Sequence, residues 1–181
     1  MGVADELSAC VRGGGVAVFP ADTVYGLACA PGDPEAVARM YALKERAPEK
    51  RSALMVLGAA LPPLPPRTAA AIAALTPGPL TFVVGELGLR IPDLPLLAGA
   101  GVTVLQTSAN LAGGPDARRL EDVPAAIRAG ADLVIDGGEL PGVASTVVDL
   151  TAYEDGGGWS VLRDGAVDRD RLAAVLGGSS A

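Results

Sequence analysis

The sequence predicts an α/β fold, one domain built on a mixed sheet with flanking helices, and three observations lead there. Segments with strand character alternate with segments of helical periodicity along the chain, the pattern that stacks helices on a sheet. Half of the residues are hydrophobic but only 3% are aromatic, so the core must be assembled from Ala, Val and Leu, which suits helices packed on a Val-rich sheet. A chain of 181 residues is long enough for one substantial core and short for two. No internal repeat or shift in composition marks a boundary, so residues 1–181 are read as a single domain.

The elements follow in order. Residues 5–12 have helical character up to Gly13-Gly14-Gly15, and "VAVF" at 16–19 reads as a buried strand. The stretch "FPADTVYGLAC" (19–29) places Asp22, Thr23 and Tyr25 at the exit of that strand, inside an otherwise apolar run. Asp33 and Pro34 form an N-cap and first-turn pair. They open a helix expected to run to about Arg46, where Ala47-Pro48 stops it. On it Val37, Met40, Tyr41 and Lys44 fall at i, i+3, i+4 and i+7, so Lys44 continues the inward-facing stripe. "SALMVL" is a strand and the proline-rich "LPPLPP" a rigid surface connection. A helix over 67–75 ends at Thr76-Pro77-Gly78-Pro79. Strands are expected at "LTFVV", "LRI" and "VTVLQT", a helix around 120–128, then strands "LVID", "TVVDL" and "WSVLR" and a closing helix over 168–176. Asp155 with Gly156-Gly157-Gly158 reads as a hairpin tip between the last two strands.

Several function classes drop out on composition. There is no histidine, which removes Ser-His-Asp catalysis and histidine-metal sites. Cys10 and Cys29 stand in no CxxC spacing, so neither a disulfide framework nor a zinc site has support, and no metal-ligating residues are singled out. The first ten residues lack a basic region followed by an apolar one, and the apolar runs are broken by proline, so a cytoplasmic protein without a membrane segment is expected. A formal net charge of -7 disfavours long polyanions unless the cations are concentrated. Four of the fourteen cations do share eight residues, "KERAPEKR" (44–51).

Neither lysine follows a glycine in a phosphate-binding loop and no glycine run extends to GxGxxG. "KERAPEKR" offers charge for a phosphate, Arg46 with a two-pronged contact, or else forms a solvated loop in which Glu45 and Glu49 are counter-charges. "TSAN" at 107–110 ends a strand, and alternation sends Ser108 and Asn110 to one side, toward a ligand or into a simple turn. "AST" at 144–146 and Arg90 allow the same two readings.

Seven such motifs in order resemble the YrdC/TsaC-type threonylcarbamoyl-AMP synthases, over roughly residues 5–166. "FPADTVYGL" is similar to that family's FPT(D/E)TVYGL, "KERAPEK" to its KxR segment, "PGPLTFV" to its PGPxT strand start and "LRIPDLP" to its (V/L)RxPxxP. "TSANLAGG" is similar to TSAN(x)SG, "ASTVVDL" to STVVD, and "VLRDGAV" to RxG. The resemblance implies an open, twisted α/β sheet around a deep cavity. It also implies a nucleotidyltransferase reaction in which L-threonine, bicarbonate and ATP, normally with Mg2+, give L-threonylcarbamoyl-AMP and pyrophosphate for threonylcarbamoyladenosine in tRNA. The labile product implies a downstream transferase as partner.

Carried over by motif position, Thr23, Arg90, Ser108 and Ser145 would contact threonine, with Arg90 on its carboxylate and Asp22 and Tyr25 shaping the wall. Lys44, Arg46, Lys50, Asn110, Arg118 and Arg163 would hold ATP, and Lys44 and Arg46 would stabilise charge as pyrophosphate departs. The sequence departs from the family's pattern at three positions: Ala21 stands in place of a usual Thr, Ser52 in place of a Pro, and Met55 where many members carry a histidine near the threonine pocket. The chain ends soon after RxG, as in the family's short form. Two other readings stay open: a nucleotide-binding paralogue with altered activity, and an RNA-binding module, which the acidic balance disfavours. Without histidine, the nucleotide site is expected to hold a fixed charge between about pH 7 and 8.5.

Overall fold

The computed structural model describes residues 2–47 and 52–178. Helix α1 (Val3–Arg12) buries Leu7 and Val11 and stops at the glycine run, where Gly14 takes a positive φ of 79°. Strand β1 (Ala17–Pro20) follows. The chain reverses through residues 21–24 into β2 (Tyr25–Cys29), which pairs antiparallel with β1, Phe19 opposite Gly26 and Pro20 opposite Tyr25. Asp22 and Thr23 of "FPADTVYGLAC" therefore sit in a hairpin connection, and Tyr25 opens its second strand. The second arm is an addition to the sequence expectation. Every residue of β2 is buried, which removes the alternation that marks a half-buried strand, and Gly26 weakens the strand signature further.

Helix α2 (Pro34–Leu43) is capped by Asp33, whose carboxylate accepts from the backbone N–H of Glu35 and Ala36, both at 3.0 Å. It ends before the expected Arg46. Lys44 is its C-cap, Glu45 turns the chain with φ 52°, and the Arg46 amide folds back onto the Tyr41 carbonyl at 3.0 Å. Next come β3 (Ala53–Leu57), α3 (Pro66–Leu75), β4 (Leu80–Val84), β5 (Leu87–Arg90) and β6 (Val102–Ser108). The helix expected over 120–128 is divided into a 3-10 turn, Leu120–Asp122, and α4 (Ala125–Gly130). Pro124 stands between them and offers no N–H to continue a helical ladder. The short β7 (Leu133–Val134), then β8 (Thr146–Asp149), β9 (Ser160–Arg163) and α5 (Arg169–Leu176) complete the fold.

Among the described residues nine strands form one sheet in the order β7-β1-β2-β6-β3-β5-β4-β8-β9. The β1–β7, β3–β5 and β4–β8 pairs are parallel and the others antiparallel, so the sheet is mixed. Alternation along β1 divides the core. Phe19 faces α1 with Met55 and Val104, whereas Val18 faces α2 and α4 with Leu27, Met40 and Ile127. Beyond β3, helices α3 and α5 set Ile72 and Leu172 against Phe82 and Val148, with Tyr153 and Trp159 closing the layer. Among the described residues no helix is long and apolar enough to cross a membrane.

Candidate active site

A cavity of about 220 Å³ lies across six neighbouring strands. Gln106, Thr107 and Ser108 come from β6, Ala53 from β3, Arg90 from β5, Thr81 from β4, Val147 from β8 and Arg163 from β9. The β1–β2 connection adds Thr23, and the segment before β8 adds Ser145. The four residues assigned to threonine by resemblance, Thr23, Arg90, Ser108 and Ser145, thus share one enclosure although 122 positions separate the first from the last (145 − 23).

Arg90 is the most enclosed cation among the arginines described here, 5% exposed. Its Nη2 donates to Asp22 Oδ1 at 2.5 Å and to Thr23 Oγ1 at 3.4 Å, and its Nη1 donates to Gln106 Oε1 at 3.2 Å. Both members of the Arg90–Asp22 pair have side chains only 6% exposed. Burial pushes the Asp22 carboxyl above its ordinary value, with the Arg90 guanidinium opposing that rise. Arg90 Nε and Asp22 Oδ2 are buried without hydrogen-bond partners. Asp22 is the residue that motif reading understates: it is the counter-ion of the site's central arginine. Tyr25 is fully buried, its hydroxyl donating within reach of Asp136 Oδ1 (3.0 Å) and the Gly138 carbonyl (2.9 Å) and accepting from the Gly137 N–H at 3.0 Å. It ties down the loop that leads toward Ser145.

Ser145 is held from two sides. Its Oγ lies 2.8 Å from Thr81 Oγ1, and Arg163 Nη2 donates to its carbonyl at 2.9 Å and its Oγ at 3.1 Å. The glycine of "RDG" has a steric reason. A Cβ on Gly165 would stand 2.3 Å from the Ala144 carbonyl oxygen and 2.6 Å from the Thr146 nitrogen, so only glycine lets residues 163–166 run against 144–146. That contact delivers Arg163 to the cavity.

Lys44 is drawn inward as its stripe predicts and is 1% exposed. It does not line the cavity. Its Nζ donates to the Ser108 carbonyl, to the Asn110 carbonyl at 2.6 Å and to Asn110 Oδ1 at 2.9 Å. Ser108 Oγ donates to the same Oδ1 at 2.7 Å, and Asn110 Nδ2 donates to the Gly114 carbonyl at 2.6 Å. Lys44 and Asn110 together therefore form the floor beneath Ser108. Burial, with the nearby Arg46 charge, lowers the Lys44 pKa from 10.5 to about 8. That lowering runs against the expectation of a fixed charge from pH 7 to 8.5 and makes Lys44 the group whose titration tests it.

Arg46 lines the cavity, reaches Thr107 Oγ1 at 3.4 Å and sits 5.8 Å from the Tyr41 ring. Arg118 lies outside the lining, half-exposed, paired with Glu139 at 3.0 Å and donating to the Leu140 carbonyl. It covers Gly142, whose amide donates to the Thr23 carbonyl at 2.9 Å. Lys50, with Arg51, lies outside the described residues. Of the three departures, Ala21 and Met55 are buried in the apolar layer under α1 and only Ser52 borders the cavity. Met55 packs with Leu57 and Val104, so that position contributes hydrophobic burial and no polar group.

A model of the Sua5/YciO/YrdC family, described as "Telomere recombination", matches residues 9–165. The chain belongs to this family. It is 35% identical over 179 residues to the threonylcarbamoyl-AMP synthase of Chromohalobacter salexigens, covering 84% of this chain and 94% of that protein. Among solved structures, it is similar to P. abyssi Sua5 complexed with L-threonine, with a TM-score of 0.82 and 25% identity over 97% of this chain. This chain spans 58% of that Sua5 chain's length. E. coli YciO superposes with a TM-score of 0.73 and 25% identity, covering 92% of this chain and 90% of YciO. The mixed sheet with flanking helices is thus the family's architecture.

Proposed function

We propose that this protein is a threonylcarbamoyl-AMP synthase, an enzyme that condenses L-threonine, bicarbonate and ATP to L-threonylcarbamoyl-AMP, pyrophosphate and water for the modification of adenosine in tRNA. The observation that supports this best is the convergence of Thr23, Ser108, Ser145 and Arg90 with Arg46 and Arg163 in one cavity. It joins hydroxyls suited to a hydroxylated amino acid to cations suited to a triphosphate. The threonine nitrogen bonds to the bicarbonate carbon with loss of water, and an oxygen of the resulting carbamate attacks the α-phosphorus as pyrophosphate leaves. Both attacking groups come from substrates. The protein supplies position and pre-placed charge, so a chain without histidine suffices.

Magnesium enters this reading on the ATP. Among the described residues no group of three or more His, Cys, Asp or Glu side chains could hold a metal ion. Asp116 borders the cavity with Arg46, a setting that fits a metal already carried by the triphosphate better than one held by protein ligands alone.

Pyrophosphate release in the presence of MgATP and bicarbonate tests the proposal: it is expected to depend on threonine, and release independent of the amino acid would contradict it. Arg46→Ala removes a charge-assisted contact worth about 1.5 to 3 kcal/mol, which is roughly a 10- to 100-fold loss in kcat/KM for ATP. Arg51→Ala, outside the motif positions, is expected to matter far less. Equal losses would reduce the segment to a diffuse positive field. In amino-acid competition, serine lacks one methyl and is expected to be disfavoured roughly 10- to 200-fold. Valine offers no hydroxyl to Thr23, Ser108 and Ser145 and is expected to fare worse still. Turnover with valine equal to that with threonine would mean a pocket not built for a hydroxyl.

A further inference from the structure

Gln106 belongs to none of the motifs. It is 4% exposed on the central strand β6, opposite Ala28 on one neighbouring strand and Ala53 on the other. Two methyl groups flank a long amide, so the side chain has room above the sheet, and it lines the cavity. Its orientation is determined by its partner. Gln106 Oε1 accepts from Arg90 Nη1 at 3.2 Å, and a guanidinium can only donate, so the carbonyl end of the amide must face Arg90 and the NH2 end must face away. The nitrogen lies over Gly26. A Cβ at that glycine would stand 3.1 Å from Gln106 Nε2, and 2.9 Å from the Phe19 ring. Gly26 therefore leaves room for the amide nitrogen itself, beside the Phe19 ring and next to the connection that carries Thr23. Among the described residues nothing accepts from Nε2.

Arg90 is poorly placed to bind a substrate anion alone. Its charge is balanced at 2.5 Å by Asp22, and its two terminal nitrogens already serve Asp22, Thr23 and Gln106. A neutral donor beside a neutralised arginine is a setting in which an incoming carboxylate gains a hydrogen bond without first displacing a counter-ion.

We propose that Gln106, fixed by Arg90, donates its Nε2 hydrogen to the carboxylate of the bound amino acid and so sets amino-acid affinity in this protein. The inference rests on the synthase reading. It adds Gln106 to the residues that touch substrate, beside Arg90, which also orients it. The opposing possibility is that Gln106 merely props Arg90 in place.

Two variants separate these roles. In Gln106→Glu the side chain keeps its length and offers Arg90 a stronger acceptor, but it has no donor and carries a negative charge toward the carboxylate. In Gln106→Met the length is kept, the donor is lost and Arg90 loses its acceptor. Threonine binding is measured by calorimetry for wild type and both variants, with MgATP affinity measured alongside and folding followed by the thermal midpoint. Direct donation predicts that Gln106→Met weakens threonine about tenfold and that Gln106→Glu weakens it further, beyond about 30-fold, with MgATP affinity within about twofold of wild type. The reverse order, with Gln106→Glu close to wild type and Gln106→Met impaired, would assign the residue to propping Arg90 and overturn the proposal. Should the charged variant fail to fold, Gln106→Met binding threonine within twofold of wild type overturns it as well. Wild-type protein that binds MgATP but no threonine would overturn the synthase reading, and this inference with it, a result distinct from the variant outcomes.

Discussion

Arg90→Met is expected to destabilise the protein by about 3 to 5 kcal/mol, because it leaves the Asp22 carboxylate buried without its counter-ion. For a domain of this size that is a fall of roughly 6 to 20 °C in the melting temperature. The desolvation of Asp22 is already unfavourable with Arg90 present, as the upward push on its carboxyl indicates. Removing the guanidinium also releases Gln106 and Thr23 from their donor, so threonine binding should be lost together with stability. Asp22→Leu combined with Arg90→Met removes both charges and is expected to recover most of the stability while leaving the threonine site empty of its anchor. Denaturant midpoints of the single and double variants measure this. A single-variant loss below about 1 kcal/mol would mean that water reaches the pair and that its burial is not energetically felt.

Lys44→Met is expected to act through Ser108 and Asn110. The two carbonyls lose the Nζ donor, and the amide oxygen keeps only Ser108 Oγ. Buried acceptors left unpaired cost about 1 to 3 kcal/mol each, offset in part by the relief of a desolvated charge. Ser108 and Asn110 then lose their common anchor, and kcat/KM should fall by at least about tenfold. The pH dependence distinguishes this lysine from an ordinary structural group. Its folded pKa of about 8 lies below the usual 10.5, so between those values the unfolded chain holds more protons than the folded one. The Lys44 contribution to stability therefore rises with pH across that interval and is lost as pH falls through about 8. MgATP affinity should move the other way, weakening about 3- to 10-fold as pH rises through the same midpoint and a positive charge behind the cavity disappears. Calorimetry on wild type and Lys44→Met checks both. The variant should show a flat profile, and an equally flat wild-type profile would mean that the ammonium stays charged throughout.

Much of this was legible along the chain, and the exceptions have physical causes. The α2 stripe of Val37, Met40 and Tyr41 points Lys44 inward, and the structure keeps it there. The acceptors that meet it, at 108 and 110, come from a strand end that pairs far from α2 in sequence, and no local pattern encodes that meeting. Asp22 and Arg90 are separated by 68 positions, so neither announces its partner, and Asp22 reads as a polar residue in a turn. Strand β2 is hidden by complete burial, since a strand covered on both faces shows no alternation. Gln106 sits in "VTVLQT" as a lone polar residue among strand formers, where only the neighbouring Ala28 and Ala53 and the donor on Arg90 give it a direction. Met55 stands where the resemblance sets a histidine, and on β3 it is in register with Arg90 of β5 while packing in the apolar layer under α1, with Ala21 in the same cluster.

The proposed reaction leaves a distinctive product, and mass spectrometry of the reaction mixture detects it. Protein is incubated with ATP, magnesium, bicarbonate and L-threonine, with each component omitted in turn. A threonylcarbamoyl-adenylate is expected, formed one for one with pyrophosphate, absent when threonine, bicarbonate or ATP is left out and diminished in Arg46→Ala. Hydrolysis of ATP without this product, or an adenylate formed equally well when threonine is replaced by valine, would contradict the synthase reading.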